Sequence, residues 1–93
     1  SLDEDIFLEI FDGVPQKEMK KEEVLGKNIA DLLAESGFLK SKSEAARELK
    51  GNAISVNKEK VNDTYSADES HLINGKYLLL QKGKKNYFIL KSI

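Results

Sequence analysis

The segment 76–93, KYLLLQKGKKNYFILKSI, constrains the fold more than any other stretch of the chain. It holds two apolar runs of strand length around a basic loop containing Gly83, which predicts a β-hairpin. Asn74-Gly75, the strongest turn dipeptide present, stands directly before it. An isolated hairpin is marginal in water, so the remaining residues must supply more strands or a covering layer. The chain has 93 residues and no cysteine, which excludes a disulfide framework and any thiolate zinc site. At this size folding buries roughly 60 to 65% of the extended surface, and the core is thin.

The upstream sequence supplies helices. Leu2, Ile6, Phe7 and Ile10 recur at helical spacing, with Asp3, Glu4 and Asp5 in the first turn, where the helix dipole favours anions. Gly13 and Pro15 end that element, and Gln16 to Val24 reads as a connector or a weak edge strand. In KNIADLLAESG, Ile29, Leu32 and Leu33 form one stripe, Asn28 is placed to cap, and Gly37 sits at a C-cap position. Ser41 and Glu44 have the spacing of a capping box, and Ala45, Ala46 and Leu49 give the next helix a narrow apolar face. Gly51-Asn52 ends it. Ala53 to Val56 then reads as a strand, Asn57 to Lys60 as a turn, and Val61 as the start of the return. DTYSADES carries turn formers and one helical turn.

The expected fold class is α+β: two short packed helices against a small, mainly antiparallel sheet, with an extra N-terminal helix. Residues 1–27 are expected to be a helix and connector leaving a preceding domain, and 28–93 the domain proper. No apolar run approaches the roughly 18 residues of a membrane span, and no basic-then-apolar signal pattern opens the chain. Together with the missing cysteines, this leads to the expectation of a cytoplasmic protein without a membrane partner.

Catalytic constellations are scarce. His71, the single histidine, lies in a polar loop and reads as a solvated residue or a local hydrogen-bond partner. No second histidine and no cysteine can join it at a metal. LKGNAIS lacks the spacing of a phosphate-binding glycine loop and follows a helix instead of a strand. No catalytic residue, metal site or cofactor is expected.

Charge is more informative. Ser1 to Leu39 holds ten acidic residues and four lysines, whereas Lys40 to Ile93 holds eleven basic and six acidic residues. Such asymmetry suits one surface built for a polyanion, and equally a mixed surface that keeps a small domain soluble. Lys42, Arg47 and Lys50 lie in the second short helix, Lys58 and Lys60 follow in the turn with Asn57, and Lys82, Lys84 and Lys85 crowd the terminal hairpin. Arg47 and Lys50, three apart, share a helix face. Guanidinium and ammonium groups on a helix can contact successive phosphates, although Glu44 and Glu48 are also available as intrahelical partners.

The string SKSEAARELKGNAISVNKEKVND resembles the S-four-like RNA-binding module, or alpha-L motif. Members commonly show Ser-basic-Ser-Glu-Ala, a basic helix, a glycine-containing turn and an apolar strand ending Val-Asn. Here Ser41, Lys42, Ser43, Glu44, Ala45 and Arg47 stand at the first positions, and Ala53, Ile54, Val56 and Asn57 at the last. With FDGVPQ, NIADLLAESGFLKSKSEA and NGKYLLLQKGKKNYFIL beside it, nearly the whole chain looks like the C-terminal part of bacterial tyrosyl-tRNA synthetases. Gly83, Lys84, Lys85, Tyr87 and Phe88 match that family's closing pattern.

The resemblance implies an alpha-L fold that grips tyrosine-accepting tRNA near its variable arm and anticodon stem. ATP-dependent tyrosylation would reside in the parent's own catalytic domain. It also implies a homodimeric parent and a monomeric fragment. The RNA-binding residues it points to, with the charge reading, are Lys42, Ser43, Arg47, Lys50, Asn57, Lys58, Lys60, Lys82, Lys84 and Lys85. Four positions depart from the pattern: Ala46 replaces a common second arginine, Gly51-Asn52 reverses the usual order, and Lys58 replaces a glycine. The alternatives are the RNA-binding appendage of an RNA-modifying enzyme such as a pseudouridine synthase, and a protein-interaction module docking through Leu2, Ile6 and Ile10.

Overall fold

The structure, a computed structural model, describes residues 7–9 and 11–93. Leu2, Ile6 and Ile10 of the expected N-terminal stripe lie outside the described residues. Residues 7–9 are helical. The elements that follow are β1 (Gln16–Met19), α1 (Lys21–Val24), α2 (Ile29–Glu35), α3 (Lys42–Lys50), β2 (Ile54–Val56), β3 (Glu59–Lys60), a 3-10 turn (Glu69–His71), β4 (Tyr77–Lys82) and β5 (Asn86–Ser92). The α+β expectation is met. The strands form one five-stranded sheet in the order β1-β5-β4-β2-β3, antiparallel except where β1 runs parallel to β5.

β4 explains the architecture. Tyr77, Leu78, Leu79 and Leu80 are all buried although their side chains alternate between faces, so both faces of the sheet must be covered. On one face Leu78, Leu80 and Leu90 join Ile54 and Val56 beneath Ile29, Leu32, Leu33, Ala45 and Leu49 of the helix pair. On the other, Tyr77, Leu79 and Ile89 meet Phe7, with Leu8, Phe11 and Val14 packed around it. Phe7 is fully buried and stacks on Tyr77 at 5.2 Å between ring centroids. This part of the apolar N-terminal stripe is therefore spent on the chain's own sheet. Residues 16–19 form the edge strand, and Met19 and Val24 enter the helix-side core.

Local chemistry sets the ends of each element. The Asn28 side chain accepts a hydrogen bond from the Ala30 amide at 2.9 Å, and Gly37 follows α2 with φ of +86°, a left-handed conformation that glycine adopts without cost. At α3 the Ser41 hydroxyl accepts from the Glu44 amide at 3.0 Å, one half of the expected capping box. The other half is displaced: Glu44 accepts from the amide of Lys40, at 2.8 Å, instead of Ser41. Ala46 also departs from expectation and is exposed, leaving Ala45 and Leu49 as the buried face of α3. The turn read as Asn57 to Lys60 is shorter, with Asn57 and Lys58 alone between Val56 and Glu59. Among the described residues, no helix is long and apolar enough to cross a membrane.

The hydrogen bond from Lys40 N–H, together with neighbouring cations, holds the Glu44 carboxyl below its ordinary value. A carboxyl depressed on folding contributes stability above its unfolded pKa and loses it as pH falls through the folded one. Glu44→Ala should therefore be less stable than the parent chain at pH 7, and the gap should narrow as acidification protonates Glu44. Urea denaturation at pH 7 and at a strongly acidic pH measures both gaps.

Candidate nucleic-acid interface

The expected cations divide into two groups according to what holds them. Lys42 reaches from α3 to Asp31 of α2, with Nζ 2.8 Å from Oδ1. That hydrogen bond, followed by the carboxylate charge, raises the lysine's pKa and keeps it firmly protonated. Lys82 points to the helix side of the sheet, 3.8 Å from Glu44 and 4.0 Å from Glu48. Both lysines clamp α3 to its neighbours, and their charge is locally compensated. Ser43 is exposed on the first turn of α3.

Arg47, Lys50, Lys58, Lys60, Lys84 and Lys85 are exposed, and among the described residues none has a carboxylate within 4 Å. Two connections draw their elements together. Gly83 N–H donates to the Ala53 carbonyl at 2.9 Å, tying the tip of the β4–β5 hairpin to the link between α3 and β2. Lys60 Nζ donates to the carbonyl of Asn52 in that same link, at 2.8 Å. The C-terminal end of α3, the end of β3 and the hairpin tip thus meet at one end of the sheet. Lys58, Lys60 and Lys84 line a single open depression with Ser55, Gln81 and Gly83. Arg47 and Lys50 stand on α3, and Lys50 borders a separate groove with Ala30, Ala46, Leu49, Asn62 and Asp63. Lys60 and Lys84 therefore come together at that end, Lys58 reaches the same depression from the β2–β3 turn, and Lys50 borders a second concavity.

Asn57 has a different task. Its side chain donates to the His71 carbonyl at 2.7 Å and accepts from the Leu79 amide at 2.9 Å, pinning the β2–β3 turn to β4 and to the 3-10 segment. Both central residues of the turn are left-handed, Asn57 at φ +52° and Lys58 at +73°. Asparagine tolerates this region, whereas lysine is strained there by about 1 kcal/mol. His71 is likewise engaged locally: its Nδ1 accepts from the Asp68 amide at 3.0 Å, and its ring lies 5.2 Å from that of Tyr65. At the reversed Gly51-Asn52 pair, the left-handed residue is Asn52, at φ +58°.

Sequence reading missed Ser55, Gln81 and the polar role of Tyr87. Gln81 interrupts the apolar run of β4 and is still buried. Its amide donates to the carbonyls of Gly83 at 2.9 Å and Lys84 at 3.2 Å, which shapes the hairpin tip. Tyr87 lies on the outer face: its hydroxyl accepts a hydrogen bond from Lys58 Nζ, which also sits 4.8 Å from the ring centroid. Its neighbour Phe88 faces the helices and stacks on Phe38.

Residues 7–90 match the family described as the tyrosine–tRNA ligase SYY-like C-terminal domain. The chain belongs to this family. Among curated relatives, the tyrosine–tRNA ligase of Flavobacterium psychrophilum is 54% identical over 96% of the chain and 21% of the relative. That of Flavobacterium johnsoniae is 48% identical over 99% of the chain and 22% of the relative. The ligase of Porphyromonas gingivalis is 39% identical over 96% and 21%. The chain thus spans about a fifth of the length of the ligases it matches, and the match assigns it to this family and not to that of an RNA-modifying enzyme.

Asn57→Ala should cost about 2–3 kcal/mol, the sum of two partly buried hydrogen bonds and a left-handed residue that alanine tolerates poorly. Asn57→Asp keeps the acceptor for Leu79 but sets a carboxylate oxygen against the His71 carbonyl, so it should also be destabilising. Chemical denaturation of the two variants beside the parent chain gives both values.

Proposed function

We propose that this chain is the tRNA-binding C-terminal part of a tyrosine–tRNA ligase, gripping tyrosine-accepting tRNA through its backbone near the variable arm and anticodon stem. The observation that carries the reading is a set of six exposed cations that have no carboxylate within 4 Å among the described residues, three of them lining one depression, in a domain whose relatives are named as tRNA ligases. Arg47 and Lys50 would meet phosphates from the helix side, with Ser43 beside them, while Lys58, Lys60, Lys84 and Lys85 meet them from the sheet. Lys42 and Lys82 act on RNA through α3, which they hold in place. A-form RNA hides its major-groove base edges, so a rigid basic surface of this kind reads backbone and the shape of a junction.

Tyrosine activation with ATP and transfer to tRNA belong in this reading to a separate catalytic domain, which this part serves by positioning the tRNA. A cytoplasmic, homodimeric parent follows from the same family resemblance. The described residues bind and do not catalyse.

Fluorescence anisotropy with tyrosine tRNA, the same tRNA lacking its variable arm, and an unrelated tRNA tests the proposal. Binding should be tightest to the intact tyrosine tRNA, and equal affinity for all three would reject recognition through the variable arm. Arg47→Ala should weaken binding and lower the slope of log affinity against log salt by roughly one unit. An unchanged slope with the fold intact would remove Arg47 from the interface.

A further inference from the structure

We propose that the depression between Lys58, Lys60 and Lys84 seats one backbone phosphate of the bound RNA, with Tyr87 as the residue that positions Lys58; this rests on the RNA-binding reading above. Lys21, Lys27, Lys42, Lys82 and Lys91 each face a carboxylate. Lys58 and Lys60 are held by neutral oxygens, the Tyr87 hydroxyl and the Asn52 carbonyl. A neutral acceptor fixes an ammonium group without cancelling its charge and leaves two of its three N–H donors open. Among the described residues no acidic side chain lines the depression. It is oriented and still electropositive, which is what an oxyanion requires.

The backbone points the same way. Lys58 keeps a left-handed conformation that glycine would adopt freely, and strain of this kind collects where a side chain has a binding task. From that turn Lys58 reaches across the outer face of the sheet to Tyr87. Phe11 supports the far side of the Tyr87 ring at 5.4 Å between centroids. Because the Tyr87 oxygen accepts from Lys58, its own proton remains available to donate. A phosphodiester in the depression is offered ammonium donors by the lysines that line it, Lys58 and Lys60, with Lys84 on a hairpin tip fixed by Gln81.

The test is tyrosine tRNA binding across a salt series with Lys58→Gln, Lys60→Gln, Tyr87→Phe and the double variant Lys58→Gln/Tyr87→Phe, each confirmed folded by circular dichroism. Either lysine change should weaken binding about five- to tenfold and lower the salt slope by roughly one unit. Tyr87→Phe retains the ring and every charge, so it should weaken binding a few-fold at an unchanged slope, and the double variant should be no weaker than Lys58→Gln alone. Wild-type affinity and slope in both lysine variants, while Arg47→Ala loses both, would overturn this seat and leave the RNA reading intact. Failure of the unaltered chain to bind any tRNA would overturn that reading as well. Nuclear magnetic resonance titration with inorganic phosphate separates the sources: saturating shifts at Lys58, Lys60 and Gly83 at submillimolar phosphate would assign the seat to a free oxyanion and overturn the assignment to RNA.

Discussion

The structure depends on one strand being buried on both sides. β4 is paired along its length with β5 and in part with β2, and it presents leucines to two separate cores. Two cores in so small a chain require two covering layers. The α2–α3 pair supplies one, and the segment carrying Phe7 and Phe11 supplies the other. That second layer packs on Tyr77, Leu79 and Ile89. Past Leu79, β4 carries the buried Gln81 beside the buried Ser55, and there the depression opens among the exposed Lys58, Lys60 and Lys84. The polar surface on that face is thus supplied by lysines.

The cations are sorted by the kind of acceptor beside them. Those that meet carboxylates serve the fold: Lys42 joins α2 to α3, Lys82 joins the sheet to α3, and Lys91 joins β5 to β1. As exposed pairs they contribute orientation more than stability. Those that meet carbonyl or phenol oxygens, or nothing charged, leave a positive field. Compensating Lys42 and Lys82 within the molecule confines that field to a limited surface, although basic residues run through the whole second half of the sequence.

Much of the fold was legible because local signals agreed with their tertiary setting. The hairpin around Gly83, the cap at Asn28, the glycine after α2 and the turn at Asn74-Gly75 all stand where the sequence places them. The misreadings have particular causes. An apolar face read from Ala45, Ala46 and Leu49 could not tell that α3 turns Ala45 inward and Ala46 outward, because the direction of burial depends on where α2 lies. The displaced partner of Glu44 depends on the path of the backbone before Ser41. In the basic surface, sequence listed cations but not their neighbours. That Asp31 would meet Lys42, and Tyr87 would meet Lys58, follows only from register across strands and helices. That the Asn57 amide makes two hydrogen bonds inside the fold was likewise not legible from sequence.

The parallel pairing of β1 with β5 carries a consequence for how the domain is made. Gln16 aligns with Ile89 and Met19 with Ser92, so β1 waits for β5 to be made before its edge is satisfied. Contacts this distant along the chain close late and slowly. A nascent chain stopped before β5 would hold α2, α3 and the β2–β3 turn with an unsealed sheet and two half-built cores, a state open to capture by chaperones. Completion of the domain is therefore tied to completion of its final strand.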